Sequence, residues 1–298
     1  MSFHKGVLAA LRTRRNRKIS VRVIALASLG VLMMVTTSDL ALSQGAPSVA
    51  APKTLAVVGA HADDEGAVAP ILARYAREGV QVYLIIASDG MAGTGQQGHI
   101  PRPDTTVQGD ELVQQRAEEA RCSTQALGIQ PPILLGFPDG KLGDYVGDRA
   151  LIYRVTQRIA EELARLRPDA VITWGPDGGT GHPDHRIVSN IVTQLQRAGA
   201  PGVPERVFYM NLPVESMRAM NPQRGEPPLT VPQARYFTVR VPFAPEDLRA
   251  AERGMACHRS QFTPEVVQRV VPAAARAWNG AIPLIPAFPT APGTDLFQ

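Results

Sequence analysis

Four short apolar runs, each followed by a stretch with helical spacing, constrain this chain more than any other feature. The runs are Thr54–Gly59, Val80–Ala87, Ile133–Leu135 and Ala170–Trp174. They are continuous rather than alternating, as strands buried on both faces of a parallel sheet are. After the first, Pro70 stands at the opening position of a helix over Ile71–Glu78, which Gly79 ends. After the second, Val113, Ala117, Ala120, Thr124 and Leu127 share one predicted packing face, and Gly128 terminates the helix. Ile152, Val155, Ile159 and Leu163 mark a third helix stopped before Pro168, and Ile187, Ile191 and Leu195 mark a fourth. The expected fold is α/β: a Rossmann-like, mostly parallel sheet with helices on both faces, in a single domain.

Beyond that alternation the signals thin out. Arg206–Asn211 and Arg235–Val241 read as later strands, and Pro245 opens what reads as the last helix, through His258. The tail after Pro272, rich in Pro and Ala, is expected to wrap the surface. At the other end, residues 1–43 read as a signal peptide: seven Lys and Arg precede the apolar stretch Val23–Val35, and Ala41 and Ser43 place small residues for cleavage before Gln44. Residues 44–52 form a linker, and the domain occupies 53–298. Export follows from this reading, with an uncleaved N-terminal anchor as the alternative. Arg14-Arg15 leaves the export route open between the general and twin-arginine pathways.

The leader carries seven basic side chains against one acidic one, a formal charge of +6 and more than the whole chain's +4. Its removal leaves 24 basic and 26 acidic side chains and no basic block, so composition gives nucleic-acid binding no support. Nothing in it sets an oligomeric state. Cys122 and Cys257 form no CxxC and no framework, and are expected to be free.

The chemistry sits where strands end. Ala60-His61-Ala62-Asp63-Asp64-Glu65 leaves the first strand, and Gly181-His182-Pro183-Asp184-His185 lies just beyond the fourth. Ligands bind at the carboxyl ends of strands in open α/β sheets. Three His and three Asp brought to one edge can hold a divalent metal, which points to a metal-dependent hydrolase.

Those two segments carry a resemblance. Ala-His-Ala-Asp-Asp-Glu at 60–65 is similar to the Ala-His-Pro-Asp-Asp-Glu motif of the LmbE-like, or PIG-L-type, N-acetylglucosaminyl deacetylases, and His-Pro-Asp-His at 182–185 matches their second motif intact. Arg116-Ala-Glu-Glu119 leading to Leu127-Gly128, Asp139 after the third strand, and His258-Arg259-Ser260-Gln261 resemble further family motifs, in the family's order. The resemblance spans about 54–262, and its one departure, Ala62 for proline, removes no functional group. It implies a single Zn2+ (with Fe2+ possible in the cell) on His61, Asp64 and His185, and Asp63 as general base. It further implies that His182, if protonated, stabilises an oxyanion, that Asp184 orients or charge-balances His182, and that Arg116, Asp139 and His258 are substrate contacts. The implied substrate is an N-acylated amino sugar or glycoside.

Gly93-Thr94-Gly95-Gln96-Gln97-Gly98 spells a dinucleotide motif, but His99-Ile100-Pro101-Arg102-Pro103 follows where a helix must begin, so nucleotide binding is not expected. The loop reads as a rim of the site. Asp89 at its base either shapes the metal site or serves as a turn residue. Two other functions compete: a non-catalytic, zinc-containing carbohydrate binder, against which the intact Asp63 stands, and a metal-dependent phosphoesterase, which lacks a second carboxylate-rich metal site here.

Overall fold

Backbone pairing gathers the apolar runs into one seven-stranded sheet. The computed structural model describes residues 51–93, 107–144, 147–179, 181–212 and 232–298. The expected leader, most of the linker, and residues 94–106 with most of the glycine motif lie outside the described residues. The first five strands are β1 (Thr54–Gly59), β2 (Gln81–Ser88), β3 (Ile133–Phe137), β4 (Ala170–Trp174) and β5 (Val207–Met210). Two more, β6 (Val239–Pro242) and β7 (Ala281–Pro286), come late in the chain. The order is β3-β2-β1-β4-β5-β7-β6. The first five are parallel, and β7 runs antiparallel to both β5 and β6.

Among the described residues six helices cover the sheet: α1 (Ala69–Arg77), α2 (Gly109–Leu127), α3 (Arg149–Leu166), α4 (Pro183–Arg197), α5 (Pro245–Cys257) and α6 (Pro264–Trp278). Period-two alternation divides the strands between two cores. Leu55 and Val57 of β1 face α1, α2 and α5, while Ala56 and Val58 face α3 and α4. Leu151, Val155, Ile159 and Leu163 of α3 recur every four residues and are buried. Each such side chain contributes about 1.5–3 kcal/mol of hydrophobic stabilisation. No helix among the described residues is long and apolar enough to cross a membrane.

The chain builds β1, β2 and β3 in one direction and then crosses back to lay β4 on the other side of β1. The sheet therefore reverses its winding between β1 and β4, where a crevice opens at the strands' carboxyl ends. Val58 pairs with Thr173, so β1 and β4 end within one residue of each other at that crevice. The two His/Asp segments leave the sheet there.

Three expectations about helices, strands and tail change. Val113 and Ala117 are only partly buried; the inward face of α2 is Leu112, Arg116, Glu119, Ala120, Ser123, Thr124 and Leu127, rotated and largely polar. The predicted strand over Arg235–Val241 is shorter, because Ala234–Tyr236 forms a 3-10 turn. The tail after Pro272 does not wrap the surface. Pro272 lies inside α6, and beyond it β7 inserts between β5 and β6. An interior proline costs a helix about 3 kcal/mol. The buried stripe of Val266, Val267, Val270, Ala273, Ala274 and Trp278 outweighs that cost.

The two cysteines are paired rather than free. Cys122 of α2 and Cys257 at the end of α5 form a disulfide across 135 residues, with Cα atoms 5.7 Å apart. Gly254 allows the approach, since a Cβ there would stand 3.2 Å from Ser123 Oγ. A cross-link over so long a loop stabilises by about 2–5 kcal/mol.

Candidate metal centre

Asp64 is set by the backbone around it. Its Oδ2 accepts from the N–H groups of Ala60 (2.6 Å) and His61 (3.1 Å), which leaves Oδ1 to point into the crevice. His185 projects from the first turn of α4, where its ring stacks on Trp174 at 4.4 Å with 4° between planes. Its Nδ1 lies 2.9 Å from the Gly178 carbonyl, so the Nδ1–H donates there and Nε2 keeps its lone pair. Gly178 has φ +75, and a Cβ on it would meet Arg186 and the His182 carbonyl at 2.9 Å. Only glycine delivers that carbonyl to His185.

Three donor atoms meet in front of these supports. His61 Nδ1 is 3.0 Å from His185 Nε2, His185 Nε2 is 3.1 Å from Asp64 Oδ1, and His61 Nδ1 is 3.8 Å from Asp64 Oδ1. A tetrahedral ion with bonds of about 2.0–2.1 Å has edges of about 3.3 Å, so this triangle fits a divalent cation of zinc's size. Ligand-type nitrogens of His61, His182 and His185 also fall within 4.8 Å of one another. His182 is thus the competing ligand. Its Nδ1, however, accepts from the Asp184 N–H at 3.2 Å, capping α4.

A second group, His61 with Asp139 and Asp184, supports the first. His61 Nε2 lies 3.0 Å from Asp139 Oδ1 and 3.5 Å from Asp184 Oδ2, which turns Nδ1 toward the crevice. Arg116 Nη1 stands 3.6 Å from Asp139 Oδ2 and disfavours another cation there.

Asp63 and Asp139 face the Arg116 guanidinium while Asp64 and Asp184 face the His185 and His61 imidazoles, and these carboxylates set the protonation of the pocket. Burial opposes a charge on His61, but Asp139, Asp184 and Asp64 raise its pKa well above the usual imidazole value. Burial likewise opposes ionisation of Asp64, which His185 and His61 nonetheless hold well below the usual carboxylate range. A cation at Nδ1 must displace the His61 proton, so metal affinity is expected to rise with pH through and above the ordinary imidazole range. Chelator competition between about pH 6 and 9 checks this; a flat profile would take His61 out of the ligand set.

Asp63, adjacent to the donor triangle, has φ 111 and ψ −18, a left-handed backbone outside the common well. Such geometry costs of order 1–3 kcal/mol and needs support from its surroundings. It turns the Asp63 carboxylate, half-buried at 21% exposure, toward Arg116 Nη2 at 3.7 Å. Burial raises the Asp63 pKa against the opposing pull of Arg116. That direction suits a proton acceptor.

Several expected roles move. Asp184 does not orient His182 through its carboxylate, which accepts from Gly140 N (2.8 Å) and Gly143 N (3.1 Å) and ties the β3–α3 loop to α4. His182 is not a cation: burial and then the neighbouring His61 and His185 lower its pKa to about 4, leaving a neutral ring with its proton on Nε2. Arg116 is buried and donates to the carbonyls of Ala62 (2.6 Å) and Gly90 (3.2 Å). Asp139 is engaged with His61 and Arg116. His258 is buried behind the crevice, with Nε2 2.6 Å from Glu65 Oε1. Asp89 is a turn residue whose Oδ1 accepts from Met91 N (2.9 Å) and Asp139 N (3.2 Å).

Sequence reasoning gave no role to Glu65, Glu119, Ser123 or Trp174. Glu119 accepts from Ser260 N (2.8 Å) and Ser260 Oγ (2.7 Å), so α2 holds the 258–261 segment in place. Glu65 and Glu119 lay inside the motifs at 60–65 and 116–119, and for Ser123 the signal was the polar periodicity of α2, where Arg116, Glu119 and Ser123 share a face.

Comparison with known proteins shows what the chain is similar to. The sequence profile of the PIG-L family, described as GlcNAc-PI de-N-acetylase, matches residues 56–196. A relative from Catenulispora acidiphila, "1D-myo-inositol 2-acetamido-2-deoxy-alpha-D-glucopyranoside deacetylase 2", is 31% identical over 56% of this chain and 59% of its own length. A deacetylase of the same description from Kineococcus radiotolerans is 33% identical over 51% of this chain and 47% of its own length, so the chain spans only about half of these relatives. Among solved structures, the zinc-inhibited form of teicoplanin deacetylase superposes with TM-score 0.56 at 17% identity, covering 78% of this chain and 97% of that one. The 4-carboxy-2-hydroxymuconate hydratase from Pseudomonas putida KT2440 superposes with TM-score 0.55 at 17% identity, covering 80% and 98%. Likeness at that identity shows the fold, and one fold hosts more than one chemistry. With the 60–65, 116–119 and 182–185 motifs inside the matched span and gathered at one sheet edge, residues 56–196 are similar to the LmbE-like PIG-L family.

Proposed function

We propose that this chain hydrolyses the amide of an N-acylated amino sugar, with Zn2+ held by His61, Asp64 and His185. The observation that carries the reading is the donor triangle of 3.0, 3.1 and 3.8 Å with Asp63 beside it. The substrate class comes from the relative named as an acetamido-sugar deacetylase. Zinc bound there supplies Lewis acidity and brings a water's pKa toward about 7.

The side chains divide the remaining work. Asp63 accepts the proton of the attacking water as its oxygen bonds to the acyl carbon. The Nε2–H of neutral His182 donates to the oxyanion that develops on the acyl oxygen. Asp63 then returns the proton to the amine nitrogen as the C–N bond breaks, giving a carboxylic acid and a free amine. Arg116 holds Asp63 and Asp139 apart, and Asp139 and Asp184 orient His61.

Export belongs to the same proposal, supported by the basic-then-apolar leader and by the Cys122–Cys257 disulfide, a linkage that persists in oxidising compartments. Protein recovered from an exporting host is expected to begin at or near Gln44 by mass spectrometry; a full-length, membrane-bound chain would support an anchor. That protein, with about one divalent ion per chain, should release acetate from one or more members of a panel of N-acetyl amino sugars and glycosides. His185→Ala should lose the metal and the activity together. Acetate release separates amide hydrolysis from hydratase and phosphoesterase chemistry, and its absence from the metal-loaded protein across the panel would reject the reading.

A further inference from the structure

A buried relay that touches neither the donor triangle nor the crevice runs to the backbone of Asp63. Glu65 is 1% exposed. Its Oε2 accepts the Asp63 N–H at 3.0 Å. Its Oε1 accepts from Ser123 Oγ at 2.5 Å and from His258 Nε2 at 2.6 Å. The carboxylate is therefore held by donors from three segments: the 60–65 loop, α2, and the end of α5.

Asp63 is where such support is needed. Three described non-glycine residues have positive φ, and the other two, Arg167 at 47 and Asn279 at 49, are helix C-caps in the ordinary left-handed well. Asp63, at φ 111, lies far outside it. Its conformation lets two adjacent carboxylates serve different faces, with Asp64 toward the donor triangle and Asp63 toward Arg116. The Asp63 carbonyl accepts from Gly66 N at 3.0 Å, so the Glu65 carboxylate and this turn grip the peptide groups on either side of the strained residue.

The disulfide lies at the same level. Ser123 follows Cys122, and His258 follows Cys257, so each of the two donors to Glu65 Oε1 is one residue from the covalent bond. The cross-link joins α2 to the end of α5 beside the place where they clasp one carboxylate oxygen.

We infer that Glu65 is a positioning residue for Asp63, held by Ser123 and His258 and stapled at that level by the Cys122–Cys257 disulfide. This rests on the assignment of Asp63 as the base, and the relay acts only through it. Loss of the Glu65 carboxylate frees the Asp63 peptide to leave its left-handed geometry, displacing the base while the three donor side chains stay in place.

The test uses the mature, metal-loaded protein. Glu65→Ala is expected to keep about one metal per chain and a KM within about threefold, and to lose roughly 100-fold in kcat, the scale of an ångström-sized misplacement. Glu65→Gln still offers a carbonyl oxygen to the Asp63 N–H, and His258 can shift its proton to Nδ1 to accept from the new amide. It should recover to within about tenfold of wild type. The double variant Cys122→Ser/Cys257→Ser should lower kcat with metal and KM unchanged; full kcat there would remove the staple from the relay. A crystal structure of Glu65→Ala should show Asp63 out of the positive-φ region, a readout independent of any substrate. Asp63 unmoved in that structure would overturn the positioning role, as would wild-type kcat. Absence of acetate release from the wild type would instead reject the proposed function, and the crystal structure would still decide the relay.

Discussion

Asp63→Asn is expected to lower turnover by roughly 10²–10⁴-fold while leaving the metal in place, because the variant keeps the shape of the side chain and removes only its capacity to take a proton. The backbone links on which the residue depends, N–H to Glu65 and C=O from Gly66 N–H, do not involve the side chain and survive the change. So do the Asp64 contacts to Ala60 and His61 that aim its Oδ1. The 3.7 Å contact between Arg116 and Asp63 loses its charge, but Arg116 keeps its bonds to the Ala62 and Gly90 carbonyls. Metal analysis and single-turnover acetate release on the same preparation separate the two effects. Wild-type turnover would falsify the assignment of Asp63 as the base.

His182→Ala carries the second large effect: a loss of roughly 10²–10³-fold in kcat with metal retained, the scale of removing one oxyanion donor. The loss should fall mainly on kcat, since the donor acts on charge that appears in the transition state. One confounding effect is visible in the fold. His182 Nδ1 caps α4 through the Asp184 N–H, and a lost cap costs about 0.5–2 kcal/mol. His182→Asn separates the roles, because its amide oxygen can restore the cap while the shorter side chain stops short of the position of Nε2. It should be as stable as wild type and as slow as His182→Ala. A metal-free His182→Ala protein would make His182 a ligand, the rival set that the spacing of the three imidazoles permits.

Local pattern explains why the core of the fold was legible. The strands β1, β2 and β4 are continuous apolar runs buried on both faces, as that composition implies, whereas β3 is equally apolar but lies at the sheet edge and leaves Leu134 exposed. That His61 and His185 lie just beyond strand ends follows from where the motifs sit relative to those runs, whereas the winding reversal that makes β1 and β4 neighbours is a matter of strand order. What escaped was set by longer-range balance. Pro272 is a breaker by local rules, yet α6 runs through it because its other side is apolar and buried. The face of α2 was misplaced by one position because Arg116, Glu119 and Ser123 point inward to bond with the site and the 258–261 segment. Polar residues do not register in a hydrophobic pattern.

The sequence by itself determined the strand–helix alternation, the parallel sheet, and the two segments of histidine and aspartate carried to its edge, because propensity and periodicity act over neighbouring residues. Only the tertiary structure decided how individual atoms are committed. Asp184 turns to Gly140, Gly143 and His61 rather than to His182, and His182 gives its Nδ1 to a helix cap and stays neutral. Cys122 pairs with Cys257, and His258 reaches Glu65 from 193 residues away. Such contacts depend on how helices from distant parts of the chain pack against one sheet. A hydrogen bond tolerates errors of only a few tenths of an ångström, a precision that spacing along the chain does not encode.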